Sequence, residues 1–287
     1  MEIGFIGCGN MAKAMISGIL AEGTFTKDEM IASGPSEDKM NQISEQLGIT
    51  TTSDNIKAAK NSRIIVLSVK PQMYDKVIRE IRDEVGKDQI VVTIAAGLSM
   101  ETVERSFGKE TKIIRTMPNT PALVGEGMTG MCMNPYVEEE EAREVRKIFE
   151  SFGKVEIVDE KLIDAVVGVS GSSPAYVYMF IEALADAAVL GGIPREKAYT
   201  FAAQAVLGSA KMVLETKEHP GKLKDAVCSP AGTTIEAVRV LEQKGLRSAV
   251  IAYFPTRICA RTKSISVNAV SGSVVYPNSI SGACSFR

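Results

Sequence analysis

Six residues near the start constrain the fold most: Gly7-Cys8-Gly9-Asn10-Met11-Ala12. They follow an apolar run, residues 3–6, and open a stretch, 10–21, whose apolar positions recur at helical spacing. A strand, a glycine turn and a helix in that order make the GxGxxA form of a dinucleotide-binding turn. Gly7 permits the tight turn, Gly9 lets the backbone approach a pyrophosphate, and Ala12 is small enough for the helix to lie on the strand. The helix N-terminus then offers unpaired N–H groups to phosphate oxygens. A glycine turn can also be purely structural, but the strand before it, the helix after it and its place in the chain all favour cofactor binding.

The second strand, 30–33, bears on which dinucleotide is bound. An NAD site places an acid about 20 residues beyond the turn, on the ribose 2′-hydroxyl. Here the strand ends Ser33-Gly34-Pro35-Ser36, with neither acid nor arginine. Ser33 and Ser36 can donate to a 2′-phosphate, and Asn55 can join them, which favours NADP(H) while leaving NAD(H) open. The same four residues also read as a turn and an N-cap, and both readings can hold together.

Further apolar strands at 64–69, 89–94 and 112–115 alternate with helical patterns, and 137–152 is a helix whose acids precede its bases, as the helix dipole prefers. Residues 1–157 are therefore expected to form an α/β domain, a doubly wound, mostly parallel sheet of Rossmann type covered on both faces. Beyond about residue 160 the strand signal stops. Residues 162–191, 195–216 and 233–244 read as long apolar helices, giving an all-helical domain over 158–251 that needs a second copy to cover it. The stretch 165–181 carries no charge, but Gly168, Ser170, Gly171, Ser172, Ser173 and Pro174 lie within it, so a buried helix with one break is expected rather than a membrane span.

Composition removes several classes. A formal net charge of −2 gives no basic footprint for nucleic acid. The five cysteines are scattered, with no CxxC pair, so neither a metal site nor a disulfide framework is expected. Met1 leads directly into a strand, so no secretory signal is expected and the cytoplasm is the simplest setting. The tail is atypical. All 35 acids precede residue 252, although about five would be expected in residues 252–287 at the upstream frequency. Disorder and a changed reading frame both account for it.

Candidate cofactor contacts continue at two later strand ends. Val69-Lys70-Pro71 closes one strand, and Ile94-Ala95-Ala96-Gly97 closes the next; ligands in open α/β sheets sit outside such ends. Lys70 reads equally as catalytic, structural or cofactor-facing. Arg115-Thr116-Met117-Pro118-Asn119-Thr120-Pro121 is a third such end. In the helical half, Ser229, Gly232, Thr233 and Thr234 precede a helix with Glu236 in its first turn. That suits a substrate carboxylate, and equally a capped helix.

The segment from His219-Pro220 to Leu241, centred on Val227-Cys228-Ser229-Pro230-Ala231-Gly232-Thr233-Thr234, resembles the signature of pyrroline-5-carboxylate reductases. The glycine turn, Val69-Lys70-Pro71, Arg115 to Pro121 and Val169-Ser170-Gly171-Ser172-Ser173-Pro174-Ala175-Tyr176 match that family in the same order, over residues 1 to about 251. The resemblance implies reduction of 1-pyrroline-5-carboxylate to L-proline with NAD(P)H, the last step of proline biosynthesis, by a homodimer that in many relatives joins a decamer, a pentamer of dimers. It implies that Ser229, Gly232, Thr233 and Thr234 hold the substrate, with Thr234 bonded to the imine nitrogen. Glu160 and Ala226 line the site, Ala226 on the cofactor side. Gly7, Cys8, Gly9, Asn10, Met11, Ala12, Ser33, Pro35, Asn55, Val69, Lys70, Pro71, Ile94, Ala95 and Ala96 match cofactor contacts. A protonated cyclic imine is electrophilic without a strong protein acid, so no catalytic histidine is needed, and His219 reads as a surface residue. Ala231 and Ser173 stand where relatives usually carry glycine, and either would strain a positive φ.

Two other readings compete. A β-hydroxyacid dehydrogenase would carry a lysine in a Gly-rich Lys-x-x-Asn context, whereas Lys211 is followed by Met212-Val213-Leu214. A non-catalytic NADP-binding scaffold would not need the second anion site at 228–234.

Overall fold

The computed structural model describes residues 1–252, so the acid-free tail lies outside the described residues apart from its first, Ala252. The strands are β1 (Ile3–Ile6), β2 (Met30–Ser33), β3 (Thr50–Thr52), β4 (Ile64–Leu67), β5 (Ile90–Thr93), β6 (Lys112–Met117), β7 (Gly127–Met133) and β8 (Gly153–Ile157). They form one sheet in the order β3-β2-β1-β4-β5-β6-β7-β8. Every pairing is parallel except β6 with β7.

The central strands are apolar throughout because both of their faces are covered. Ile3, Phe5, Ile64, Val66, Ile90 and Val92 face one core, filled by Met15, Ile16 and Ile19 of α1 (Asn10–Glu22) and Val145, Ile148 and Phe149 of α6 (Glu139–Glu150). Ile6, Ile65, Leu67 and Val91 alternate to the other face. There they meet Tyr74, Val77, Ile78 and Ile81 of α4 (Tyr74–Ile81) and Val103 and Phe107 of α5 (Met100–Phe107). Helices α2 (Glu37–Leu47) and α3 (Asn55–Lys60) flank β3.

Three strands escape sequence reasoning. β3 has three residues at the sheet edge, β7 mixes glycines and methionines with little β-branched content, and β8 buries only Val155. Their addition completes the doubly wound sheet and gives it an antiparallel step at β7.

The helical half contains α7 (Ile163–Val166), α8 (Ser173–Leu190), α9 (Arg195–Thr216), α10 (Pro220–Ala226) and α11 (Thr233–Gln243), and residues 246–252 are again helical. The expected single break in 162–191 is a π-turn, Val167–Gly171. Pro174 has no N–H to give the Ser170 carbonyl one turn back. Asn119 Nδ2 donates to that carbonyl instead, at 3.1 Å, tying the loop after β6 to the break. The expectation that this helix is buried needs correction for the single chain. On α8 only Ala185 is buried, while Tyr178, Met179 and Phe180 are exposed. The core shared by α8 and α9 is small, centred on Ala185, Ala198 and Ala202, and leaves the rest of the apolar surface open.

Candidate active site

The strand order reverses at β1, whose neighbours are β2 on one side and β4 on the other. The crevice at the carboxyl ends of these strands is where open α/β sheets bind ligands. Gly7 leaves β1 at φ +93°, and its N–H donates to the Ser33 carbonyl at 3.0 Å. A Cβ on Gly7 would lie 2.7 Å from Val69 Cγ1, so glycine is required by both conformation and space. Gly9 is the N-cap of α1 with no side-chain cap and no acid in the helix's first turn, and a Cβ there would meet nothing within 4 Å. The added carbon would project into the open cradle over bare helix N–H groups, a donor set that fits a pyrophosphate. Ala12 packs inward at 1% exposure, while Asn10 is exposed and Met11 half-buried. Burial pushes the Cys8 thiol up from its usual range, which keeps it neutral beside the cradle.

At the end of β2, Ser33 is fully buried, and its hydroxyl donates to Asn55 Oδ1 at 2.8 Å. Asn55 Nδ2 in turn donates to Glu80 Oε2 at 3.1 Å. Pro35 is exposed. Ser36 caps α2 through a long bond from Lys39 N–H, 3.5 Å, so its hydroxyl hydrogen remains for another acceptor. Glu80 escapes sequence reasoning, because an acid on the outer face of a helix gives no signal of its own.

At the next strand ends Val69 and Ile94 are half-buried, Lys70 and Pro71 exposed, Ala95 buried and Ala96 half-buried. Tyr74 knots these ends together. Its hydroxyl donates to the Leu67 carbonyl and accepts from Thr93 Oγ1 at 3.1 Å and Ile94 N–H at 3.3 Å. Burial drives its pKa up to about 12. Tyr74 was also missed; a tyrosine among the apolar positions of an amphipathic helix is the signal that could have found it.

Glu160 lies between the two halves. Its Oε1 accepts from Arg115 Nη1 at 2.8 Å and from Met100 N–H at 2.7 Å. Arg115, almost fully buried, also faces Asp164 at 3.8 Å. Ala226 closes α10 and is exposed. His219 accepts from Gly221 N–H at 3.0 Å and caps α10, a local structural task. The N-cap of α11 is Gly232, with no side-chain cap, and its own N–H donates to the Ser229 carbonyl at 3.0 Å. Ser229, Thr233 and Thr234 are therefore not consumed in capping, and all three are exposed. Ala231 holds φ +57°, the left-handed region that its Cβ disfavours, whereas Ser173 begins α8 in ordinary helical geometry. The structure thus places the cofactor-side residues of the first half at the carboxyl ends of the strands and on the helix starts that follow them, while Ala226 lies at the end of α10 and Ser229 to Thr234 at the start of α11.

Two family models match different parts of the chain. Residues 160–262 match the family described as pyrroline-5-carboxylate reductase dimerisation, and residues 2–97 match the family described as NADP oxidoreductase, coenzyme F420-dependent. The chain is 56% identical over 250 residues to the pyrroline-5-carboxylate reductase of Escherichia coli K12, covering 87% of this chain and 93% of that protein. It is 43% identical over 251 residues to the enzyme of the same name from Synechocystis, covering 88% and 93%. Among solved structures, a pyrroline-5-carboxylate reductase from Coxiella burnetii superposes with a TM-score of 0.85 at 35% identity, covering 91% of this chain and 97% of that one. The Plasmodium falciparum pyrroline carboxylate reductase, solved with NADP bound, gives 0.81 at 32% identity, covering 91% and 97%.

Proposed function

The chain belongs to the pyrroline-5-carboxylate reductase family, and from that we propose that it reduces the C=N bond of 1-pyrroline-5-carboxylate to give L-proline, the last step of proline biosynthesis, using NADPH. One observation carries the reading beyond family membership. Glycine stands at the N-cap of both α1 and α11, and neither helix has a side-chain cap. The two ligands of this reaction are both anionic, a dinucleotide and an amino-acid carboxylate, and each has a bare helix N-terminus that suits it.

NADPH supplies the hydride when bound. Gly7, Cys8, Gly9, Asn10, Met11 and Ala12 take the pyrophosphate. Ser33, Pro35 and Asn55 take the adenosine ribose, and Val69, Lys70, Pro71, Ile94, Ala95 and Ala96 take the nicotinamide end, with Ala226 closing on it. Ser229, Gly232 and Thr233 hold the substrate carboxylate and ring. The iminium N–H donates to the Thr234 hydroxyl oxygen, and Thr234 stays hydrogen-bonded to the nitrogen as hydride addition turns it into a neutral amine. Glu160 lines the site from a fixed position, because Arg115 and Met100 N–H hold its carboxylate. The residues need only orient, neutralise and exclude water around an already electrophilic carbon.

The helical domain is a dimerisation domain, by the family it matches. We take 1–157 as the NADP-binding unit and 158–251 as the substrate and dimer unit, and read the exposed apolar face of α8 and α9 as the dimer contact. Dimers of this kind are expected to assemble further into a decamer in the cytoplasm. Glu160–Leu190 is long and apolar enough to cross a membrane; the family supports reading it as a dimer face. The direct test supplies NADPH dideuterated at the nicotinamide C4 together with 1-pyrroline-5-carboxylate. Proline carrying deuterium at the former imine carbon is expected, and unlabelled proline would contradict the proposal.

A further inference from the structure

The acid that β2 lacks returns from another element. Glu80, in the last turn of α4, receives Asn55 Nδ2 at 3.1 Å, and Asn55 Oδ1 receives the Ser33 hydroxyl at 2.8 Å. We infer that Glu80 is a specificity-determining residue that, through Asn55 and Ser33, weakens binding of the 2′-phosphate of NADP and so brings its affinity closer to that of NAD. The inference rests on the adenosine ribose lying at Ser33 and Asn55, as in the reading above.

Two independent effects act in the same direction. The first is hydrogen-bond polarity. A carboxylate is acceptor-only, so it fixes the Asn55 amide with nitrogen toward Glu80 and oxygen toward Ser33. Ser33 is fully buried and spends its hydroxyl hydrogen on Asn55, while Asn55 Nδ2 spends one on Glu80, which leaves the half-buried Asn55 with one donor fewer and a lone pair on Oδ1 to offer a ligand. Lone pairs accept from a 2′-hydroxyl, whereas a 2′-phosphate is itself an acceptor and needs donors. The second effect is charge. Among the described residues no lysine or arginine nitrogen lies within 4 Å of the Glu80 carboxylate, so no ion pair offsets its repulsion of a 2′-phosphate placed at Asn55. The Glu80 carboxylate does not touch the ribose. It acts through Asn55, and so differs from the strand-end acid of an NAD site, which bonds the 2′-hydroxyl directly.

Glu80→Gln separates these effects from simple support of Asn55. Glutamine still accepts from Asn55 Nδ2 through its carbonyl, but it is neutral, and its amide can turn over and allow Asn55 to turn over with it. Calorimetric titration of NADP+ and NAD+, without substrate, gives both dissociation constants for wild type, Glu80→Gln and Asp83→Asn. Asp83 is a highly exposed acid beside the end of α4 and serves as the control for general charge. For Glu80→Gln the NADP+ dissociation constant is expected to fall about three- to ten-fold, with NAD+ changing less than about two-fold, and added salt should narrow the difference. Asp83→Asn is expected to leave the ratio unchanged. An unchanged or reversed ratio in Glu80→Gln, with both nucleotides bound, overturns this inference alone. Failure of wild type to bind either nucleotide overturns the cofactor reading as well.

Discussion

The Ser33 hydroxyl and the Asn55 side-chain carbonyl meet at 2.8 Å, joining the end of β2 to the first residue of α3. The contact crosses from one βα unit to the next at the edge of the crevice, so Asn55 orders Ser33 and, in the proposed function, also contacts the ribose. Asn55→Ala is expected to raise the KM for NADPH about ten-fold while changing kcat little, because the contact serves ground state and transition state alike. Steady-state kinetics at saturating substrate, with NADPH varied, checks this. A fall in kcat with an unchanged KM would place Asn55 nearer the chemistry.

Ala231 carries its left-handed φ of +57° one residue before the N-cap of α11. Ala231→Gly should relieve that strain and raise stability by about 1 kcal/mol, net of the greater freedom of glycine in the unfolded chain. Urea denaturation at fixed protein concentration reads this as a higher midpoint with an unchanged slope.

Burial lifts the pKa of Tyr74 to about 12. A raised pKa means that the folded state holds the proton more tightly than the unfolded chain, whose tyrosine titrates near 10. The stabilisation from the Tyr74 knot is therefore complete below pH 10 and is lost as pH rises through 12. Wild type should lose about 3 kcal/mol of stability over that window from this group. Tyr74→Phe should begin about 1–2 kcal/mol less stable at neutral pH, through the lost hydrogen bonds, and then lack the alkaline loss of about 3 kcal/mol that Tyr74 contributes. Denaturation at several pH values compares the two slopes.

Much of this was legible in the sequence because the determining signals are local. Gly7, Gly9 and Ala12 declare a tight turn at a helix start, and the apolar runs of β1, β2, β4 and β5 declare strands covered on both faces. Pro174 declares its helix break, though not which carbonyl it frees or that Asn119 takes that carbonyl. The edge strands β3 and β8 and the glycine-containing β7 were not legible, because neighbours rather than propensity hold them in the sheet. At the site, Ser33 and Asn55 could be named singly. Their contact with Glu80, the tethering of Glu160 by Arg115 and Met100 N–H, and the Tyr74 knot depend on residues brought together only by the fold. The apolar character of α8 and α9 announced a buried helix, but the single chain leaves that face open, because its small shared core covers only Ala185, Ala198 and Ala202; the proposed dimer would cover the rest.

In the proposed reaction this chain reduces a cyclic imine with Thr234 bonded at its nitrogen. The most direct measurement follows NADPH oxidation with 1-pyrroline-5-carboxylate and quantifies proline, for wild type and Thr234→Ala. Proline is expected to form in step with NADPH consumed, with a loss of about 10²-fold in kcat/KM for the variant. NADPH consumption without proline, no turnover by folded wild type, or an unimpaired Thr234→Ala enzyme would contradict it.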